Sequence, residues 1–370
     1  MRSRLRKIYE KSNKTLPGIY VFLKIVFIIT GKYGRFKEET KSALETFEKG
    51  KLGKLEYLHK YRKLIVYRYI YYLRANEYYL YGFENVPYDK RDTFMTRQLT
   101  NRYYAVINTK KYRKIFDKKN LSYKLLKKYY KREMICIKDE SEQKAFEEFA
   151  KKTKKFILKP FSGHSGDGIE IIETKDYVSS EELFKHTIEK IPYVAEELIE
   201  QDKGLGCFHE NSVNTIRVVT FYYKNDVSIL WAFLRTGQGE NKVDNMGAAG
   251  LGALIDHTTG KIISDGFDWL GDKVKEHPDS KITFKGYQIP RWKELLETVR
   301  SLAEEISEMH CIGWDLALTK DGWVLVEGNA RPQCVTIQTF TKKGYRPVYD
   351  KMHNLIKREK EEKEKIMRGE

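Results

Sequence analysis

The pattern of apolar and polar positions changes along the chain. Residues 37–82 mix Leu, Glu, Lys and Tyr with no proline and few glycines, which predicts helices. Asn85-Val86-Pro87 breaks that pattern; residues 90–134 read helical again, with a second break near Asn108-Thr109. Residues 134–137 form a short apolar run of strand character. Ser141, followed by acidic residues, predicts a helix start capped by that serine. Residues 156–159, a glycine-rich loop and residues 169–172 predict a β-hairpin. Residues 179–190 read as a helix, and 193–199 as a strand running into a linker. Residues 213–223 and 227–235 predict a hairpin across Lys224-Asn225-Asp226. A Gly/Ala-rich stretch over 246–256 ends in Leu254-Ile255-Asp256. Residues 292–309 have the spacing of an amphipathic helix. Strands at 312–318 and 323–327 are joined by the turn Thr319-Lys320-Asp321-Gly322. Residues 358–365 alternate in charge, as a solvated helix end does. The predicted class is α+β, with helices first and hairpins after them.

The run over 19–30 is apolar apart from Lys24, and shorter than the roughly 20 residues of a bilayer span. It reads either as a buried core helix or as an amphipathic segment on an anionic membrane surface, helped by Arg2, Arg4, Arg6 and Lys7. The basic Gly31-Lys32-Tyr33-Gly34-Arg35 that follows argues against a secretory signal. Charge sharpens the division of the chain. Residues 1–150 carry 36 basic and 17 acidic side chains, net +19; the remainder carry 33 and 35, net −2. Nineteen of the 26 tyrosines also precede residue 151. Stretches such as Tyr61-Arg62-Lys63, Tyr67-Arg68-Tyr69 and Lys127-Lys128-Tyr129-Tyr130-Lys131-Arg132 raise the question of nucleic acid. No zinc-finger spacing or RNP-type aromatic motif accompanies them, and aromatics at helical spacing fit a core. A basic surface equally suits a polyanionic nucleotide substrate. A chain of 370 residues has room for two or three modules. Four irregularly spaced cysteines exclude a disulfide scaffold and fit a reducing compartment.

Two groups of residues carry chemistry. Lys159-Pro160-Phe161-Ser162-Gly163-His164-Ser165-Gly166-Asp167-Gly168 puts a lysine at a strand end before a loop with three glycines. Glycines let backbone N–H groups turn toward phosphate oxygens. The loop is neither a Walker A loop nor a G-x-G-x-x-G fingerprint. The second group is Asp315, then Glu327 and Asn329 in Val326-Glu327-Gly328-Asn329. If two strands flank the Asp321-Gly322 turn, Asp315 and Glu327 are cross-strand neighbours, and Glu327 and Asn329 share a face. Three oxygen ligands on one face suit Mg²⁺. The apolar Ile312, Trp314, Leu316, Leu325 and Val326 around them make the sheet look buried, so the carboxylates need partners.

The order of motifs is informative in itself. Lys159 with its glycine loop is followed by Glu196-Glu197-Leu198-Ile199, Asn214-Thr215-Ile216-Arg217, Arg235, Asn245 with Gly250 and Gly252, and Asp315 with Glu327 and Asn329. Over roughly residues 78–350 this resembles the ATP-grasp superfamily, and within it the sugar-transfer-associated members of polysaccharide biosynthesis. The resemblance implies two α+β subdomains gripping ATP. It divides the chain into a helical basic region (1–75), an N-terminal part (76–135), a small subdomain with the glycine loop (136–198), a large subdomain with the metal site (199–345) and a charged helix (346–370). By the same resemblance Lys159 contacts the α- and β-phosphates, as does Lys118, with Lys119 as the neighbouring alternative. Gly163, His164, Ser165, Gly166 and Gly168 close over the phosphates. Glu196, Glu197, Leu198 and Ile199 hold adenine, and Asn214 or Thr215 lies near the ribose. Arg217 and Arg235 clamp phosphate or an acyl phosphate, and Asp315, Glu327 and Asn329 hold two Mg²⁺ ions. A long insert, 201–211, separates the adenine strand from the ribose position.

The activity implied is carboxylate–amine ligation. ATP phosphorylates a carboxylate, and an amine captures the acyl phosphate. The acid implied is a uronic acid or related sugar acid of a polysaccharide precursor, and the amine an amino acid or simple amine. The expected place is the cytoplasm, at the inner face of the membrane if the precursor is lipid-linked. Two alternatives stand beside this: a ligase acting on peptide carboxylates, and a noncatalytic nucleotide-binding scaffold of a glycan assembly complex. Residues 277–279 with Phe284, Gly286 and Trp292 line an acceptor pocket or cover a sheet edge. Cys207 with His209, and His310 with Cys311, match no structural zinc spacing.

Overall fold

A computed structural model describes residues 2–11, 16–161, 168–241, 244 and 249–368. The chain divides into two compact units, Met1–Ile107 with Gln333–Glu370, and Asn108–Pro332. The first stretch of the helical unit ends at Ile107, beside the helix break expected near Asn108-Thr109.

The first unit is helical, with Leu16–Ile29, Tyr33–Glu48, Lys54–Ile70, Arg97–Ile107 and Arg346–Arg368 as its longest helices. Its core is rich in tyrosine. Tyr9, Tyr67, Tyr71, Tyr78 and Tyr81 are buried together with Leu64, Ile65 and Phe83. The Tyr9 and Tyr67 rings meet edge to face at 5.6 Å, and Arg91, itself buried, donates from Nη1 to the Tyr67 hydroxyl at 2.7 Å. Rings with a polar tip fill a core where the hydroxyl finds a partner, as those of Tyr67, Tyr71 and Tyr81 do. The alternation of Tyr with Arg and Lys is thus largely a packing pattern. The apolar run near the N-terminus is the helix Leu16–Ile29. Leu16, Ile19, Leu23 and Phe27 are buried, while Val21, Phe22, Ile25, Ile28 and Ile29 are exposed. No helix among the described residues is long and apolar enough to cross a membrane.

The second unit holds two antiparallel sheets. The four-stranded one has β1 (Met134–Ile137), β2 (Lys155–Pro160), β3 (Glu170–Glu173) and β4 (Tyr193–Glu197) in the order β1-β4-β2-β3. The expected hairpin β2–β3 forms, with Phe156 opposite Ile172. Phe156, Leu158 and Tyr193 pack against Phe146 and Phe149 of the helix Gln143–Lys152 and against Leu183 and Phe184 of Ser180–Thr187. Alternation then turns Lys159 and Ile157 to the opposite face, which they share with their partners Val194 and Glu196. The cap expected of Ser141 belongs to Asp139. Its carboxylate accepts the Ser141 N–H at 3.0 Å and starts a short turn, Glu140–Glu142, ahead of the α-helix. A charged aspartate accepts a backbone N–H more strongly than a hydroxyl does, and this one caps the turn that precedes the helix.

The seven-stranded sheet has β5 (Thr215–Tyr223), β6 (Asp226–Thr236), β7 (Leu251–Ile255), β8 (Ile262–Phe267), β9 (Lys273–Val274), β10 (Cys311–Thr319) and β11 (Gly322–Asn329), in the order β11-β10-β5-β6-β7-β8-β9. Lys224 and Asn225 adopt positive φ in the two-residue turn between β5 and β6, the backbone that a tight hairpin demands. The helix Trp292–Glu305 buries Leu295, Val299 and Leu302 in the same core as Ile216, Val218, Leu234 and Leu316. Trp231, Trp314 and Trp323 are fully buried. The side chain of Asn108 ties the start of the unit to the sheet: its Nδ2 donates to the carbonyls of Cys311 and Ala330, and its Oδ1 accepts the Cys311 N–H.

Candidate nucleotide and metal site

Register places the chemistry. Asp315 of β10 lies opposite Arg217 of β5 on one side and Glu327 of β11 on the other. Arg235 of β6 lies opposite Thr215, two residues from Arg217. Direct antiparallel partners and i, i+2 neighbours share a face, so Thr215, Arg217, Arg235, Asp315, Glu327 and Asn329 project from one side of the sheet. A β-bulge directly follows Asp315 in the β10–β11 pairing, a device that re-aims side chains at a site. Gly313 opens the same face. A Cβ there would meet Pro332 Cβ at 2.9 Å and Arg217 Cδ at 3.2 Å, so only glycine lets the arginine pass.

Asp315 is buried and gripped by two guanidiniums. Arg217 holds both carboxylate oxygens, with Nη2 at 2.5 Å, and Arg235 Nη1 donates at 2.6 Å. Burial works against the charge of Asp315, but Arg217 and Arg235 outweigh it and hold its pKa at about 2. Glu327 stands differently. Its nearest guanidinium contact is Arg217 Nη2 at 3.8 Å, and 51% of its side chain is accessible. The protein crowding its carboxyl, and the charge of Asp315, still push its pKa above the usual carboxylate range. A third acid, Asp244, which sequence reasoning did not single out, accepts from Thr215 Oγ1 and lies 3.3 Å from Arg235 Nη2. Burial raises its pKa. Three carboxylates therefore face two arginines.

The four-stranded sheet carries the opposite balance. Glu196 is buried; Lys159 Nζ donates to it at 2.6 Å and Arg132 Nε at 2.7 Å. Burial is again outweighed by the two cations, and the Glu196 pKa falls to about 2. Arg132, also missed from sequence, donates further to the Leu325 carbonyl at 2.6 Å. It thereby links the small sheet to β11. Lys119 completes the cluster. Crowding and the like charge of Lys159 lower its pKa, while Glu327 and Glu196 act the other way. Lys119, the neighbouring alternative to Lys118, is in electrostatic reach of Lys159 and Glu327.

The remaining expectations fare unevenly. The Glu196 carboxylate is occupied by Lys159 and Arg132. Glu197 is exposed at the end of β4, and Leu198 and Ile199 follow it half-buried. The Asn214 amide is spent inside the insert. It is fully buried, donates to Gln201, Leu205 and His209, and accepts from Thr236 Oγ1 at 2.6 Å. That leaves Thr215, held by Asp244, as the member of the pair that faces the site. Gly163, His164, Ser165 and Gly166, and Asn245, lie outside the described residues. Gly168 is described, with φ of 72°. His277 is buried against the Gly237 carbonyl at 2.8 Å, and Asp279 accepts the Gly239 N–H at 2.7 Å. Residues 277–279 thus brace the turn that leads toward Asp244. His209 bonds Ser212 and Gly239, and Cys207 Sγ lies 3.4 Å from the Tyr287 hydroxyl.

Among the described residues, no group of three or more His, Cys, Asp and Glu is gathered to hold a metal. The Asp315–Glu327 pair nevertheless fits a divalent cation. Two carboxylates face each other, one is under-neutralised, and oxygen donors of this type suit Mg²⁺. Asn329 Oδ1 accepts the Arg331 N–H at 2.9 Å and retains a second lone pair.

Comparison with known proteins gives one strong match and several distant ones. A family model described as sugar-transfer associated ATP-grasp matches residues 98–354. No curated protein matches the chain. Among solved structures, an L-amino acid ligase from Bacillus licheniformis is 12% identical, covering 61% of this chain, with a TM-score of 0.34. The chain spans only 43% of that ligase. A D-alanine–D-alanine ligase from Bacillus anthracis, complexed with ATP, is 16% identical over 65% of each chain, with a TM-score of 0.36. The D-alanine–D-alanine ligase of Helicobacter pylori is 14% identical over 65% of this chain and 61% of its own, with a TM-score of 0.39.

Proposed function

The chain belongs to the sugar-transfer associated ATP-grasp family, and on that footing we propose that it is an ATP- and Mg²⁺-dependent carboxylate–amine ligase acting through an acyl phosphate. The acid we propose is a sugar acid of a polysaccharide precursor, joined to an amino acid or amine. The family's description supports that substrate class. The observation that carries the activity is the pairing of unlike charge balances. Lys119 and Lys159 repel each other, and Lys119 lies within electrostatic reach of Glu327, whose nearest guanidinium is 3.8 Å away.

Lys159 and Lys119 would bind the phosphates of ATP, since two ammonium groups held together need an anion between them. Asp315, Glu327 and Asn329 would hold Mg²⁺, which supplies charge neutralisation to the β- and γ-phosphates when bound. Leu198 and Ile199, with the β4 backbone, would receive adenine, and Thr215 would lie near the ribose. The substrate carboxylate attacks the γ-phosphorus and ADP leaves. The amine nitrogen then attacks the acyl carbon, phosphate leaves, and the amine proton passes to solvent. Arg217 and Arg235 would hold the acyl phosphate in place. Reactions of this kind are driven by positioning and charge stabilisation, which is what a face of lysines, arginines and carboxylates provides.

The test is a thermal shift with ATP, with and without Mg²⁺, followed by ADP-release assays across sugar acids, amino acids and peptides. Nucleotide at 100 times its dissociation constant should add about 2.7 kcal/mol of stability. The shift should require Mg²⁺ and vanish in Lys159→Ala. Absence of any shift in the wild type would remove the ligase reading; turnover of peptides but not sugar acids would replace its substrate.

A further inference from the structure

The helix Leu16–Ile29 is divided lengthwise. Leu16, Ile19, Leu23 and Phe27 pack into the tyrosine-rich core. On a helical wheel at 100° per residue, Val21, Phe22, Ile25, Ile28 and Ile29 fall together on the other side, and Ile29 is 79% exposed. Isolated exposed apolar residues are ordinary; five in one stripe with no charged residue among them are not. Lys24, the helix's one charge, sits at the border of the stripe, its ammonium 5.6 Å from the Tyr33 ring.

The surroundings of the stripe are basic. Residues 1–37 contain ten Lys and Arg and a single acid, Glu10. Glu10 is itself engaged by Arg6 at 2.7 Å and by the Tyr71 hydroxyl at 2.8 Å. Arg4, Lys7 and Lys11 on the preceding helix, Lys32 on the following turn and Arg35 in the helix Tyr33–Glu48 are exposed. Ile8, on the same helix as Lys7, is exposed as well. At 1.5 Å per residue the 14-residue helix is about 21 Å long, short of a hydrocarbon core of about 30 Å. Such a helix can lie in a membrane surface without crossing it.

We propose that the stripe Val21, Phe22, Ile25, Ile28 and Ile29 docks on the surface of an anionic lipid bilayer, with the exposed Arg4, Lys7, Lys11, Lys32 and Arg35 contacting the headgroups. A second copy of this chain would bring the exposed Arg4, Lys7, Lys11, Lys32 and Arg35 against the same five cations, whereas an anionic membrane answers both the apolar stripe and this charge. The proposal gives the protein a place of work and does not depend on the ligase reading.

Co-sedimentation of the full chain with phosphatidylglycerol-containing and with pure phosphatidylcholine vesicles tests it. The wild type should bind the anionic vesicles, and added salt should weaken binding. Phe22→Gln/Ile25→Gln/Ile29→Gln should lower partitioning by about tenfold or more, and Arg4→Gln/Lys7→Gln by about tenfold on anionic vesicles only. Ile25→Trp should add to the emission of the five native tryptophans a component that brominated lipid quenches, a quenching the wild type measured alongside does not show. An unchanged circular dichroism spectrum and an unchanged nucleotide-induced thermal shift would show that these variants remain folded. No binding of the wild type to anionic vesicles, or equal binding by the triple variant, overturns the proposal. So does a concentration-dependent dimer that the triple variant abolishes, because the stripe would then be covered by a second copy.

Discussion

Two buried carboxylates in the Asn108–Pro332 unit are built alike and stand in opposite surroundings. Glu196 is held by Lys159 and Arg132, and Asp315 by Arg217 and Arg235. Each is fixed by two cations, and each has its pKa drawn down to about 2. What differs is the company. Lys119 adds a third cation near Glu196, whereas Glu327 and Asp244 add two acids near Asp315. One cluster is left wanting an anion and the other a cation. A nucleotide polyphosphate with its divalent metal answers both at once. Neither ion pair alone points to function, because buried ion pairs are common structural devices; the imbalance around each pair does.

The comparison breaks most readily by removing each central acid. Glu196→Gln leaves Arg132 buried with no second carboxylate bonded to it among the described residues, and should cost about 3–5 kcal/mol of stability in urea unfolding. Asp315→Asn should cost less, because Glu327 and Asp244 remain to face Arg217 and Arg235. Equal losses would mean that the two surroundings do not differ as described. Acid unfolding comes next. A carboxylate with a depressed folded-state pKa contributes fully above its unfolded value and loses that contribution as pH falls. Glu196 should therefore lose roughly 3 kcal/mol between about pH 4.5 and 2, a slope absent from Glu196→Gln. Glu327, with its raised pKa, works the other way, opposing folding as pH rises. Glu327→Gln should accordingly leave the unliganded midpoint unchanged or higher, while abolishing the Mg²⁺-dependent shift of about 2.7 kcal/mol. A lower unliganded midpoint would show that Glu327 is adequately paired without metal. The smallest effect separates two adjacent lysines. Lys119→Ala should weaken ATP about tenfold, about 1.4 kcal/mol, and Lys118→Ala less than about twofold, measured by nucleotide titration.

How much of this the sequence revealed depended on periodicity. The β10–β11 hairpin was readable because its apolar run is interrupted by Asp321-Gly322, and the turn fixed Asp315 against Glu327. Lys159 was readable at the end of a strand before glycines. Arg132 was not, because it closes a run of basic residues in which nothing marks it as the one that turns inward. Asp244 lies in a segment with no period at all. Asn214 has a motif position, but only the folded insert shows its amide bonded to Gln201, Leu205 and His209. Lys118 and Lys119 differ by one residue, a rotation of about 100° at the start of a helix, which composition cannot resolve. The apolar run near the N-terminus admitted a core helix or a surface helix, and the structure gives it one face of each.

The division into two units has an optical consequence. All five tryptophans lie in Asn108–Pro332, and the other unit has none, its core resting on tyrosine instead. The protein therefore carries its own spectroscopic labels. Selective tryptophan excitation follows the sheet-bearing unit alone, while a tyrosine-sensitive signal is dominated by the helical one. Melting curves recorded both ways would show whether nucleotide stiffens one unit or both, with no dye attached and no residue changed.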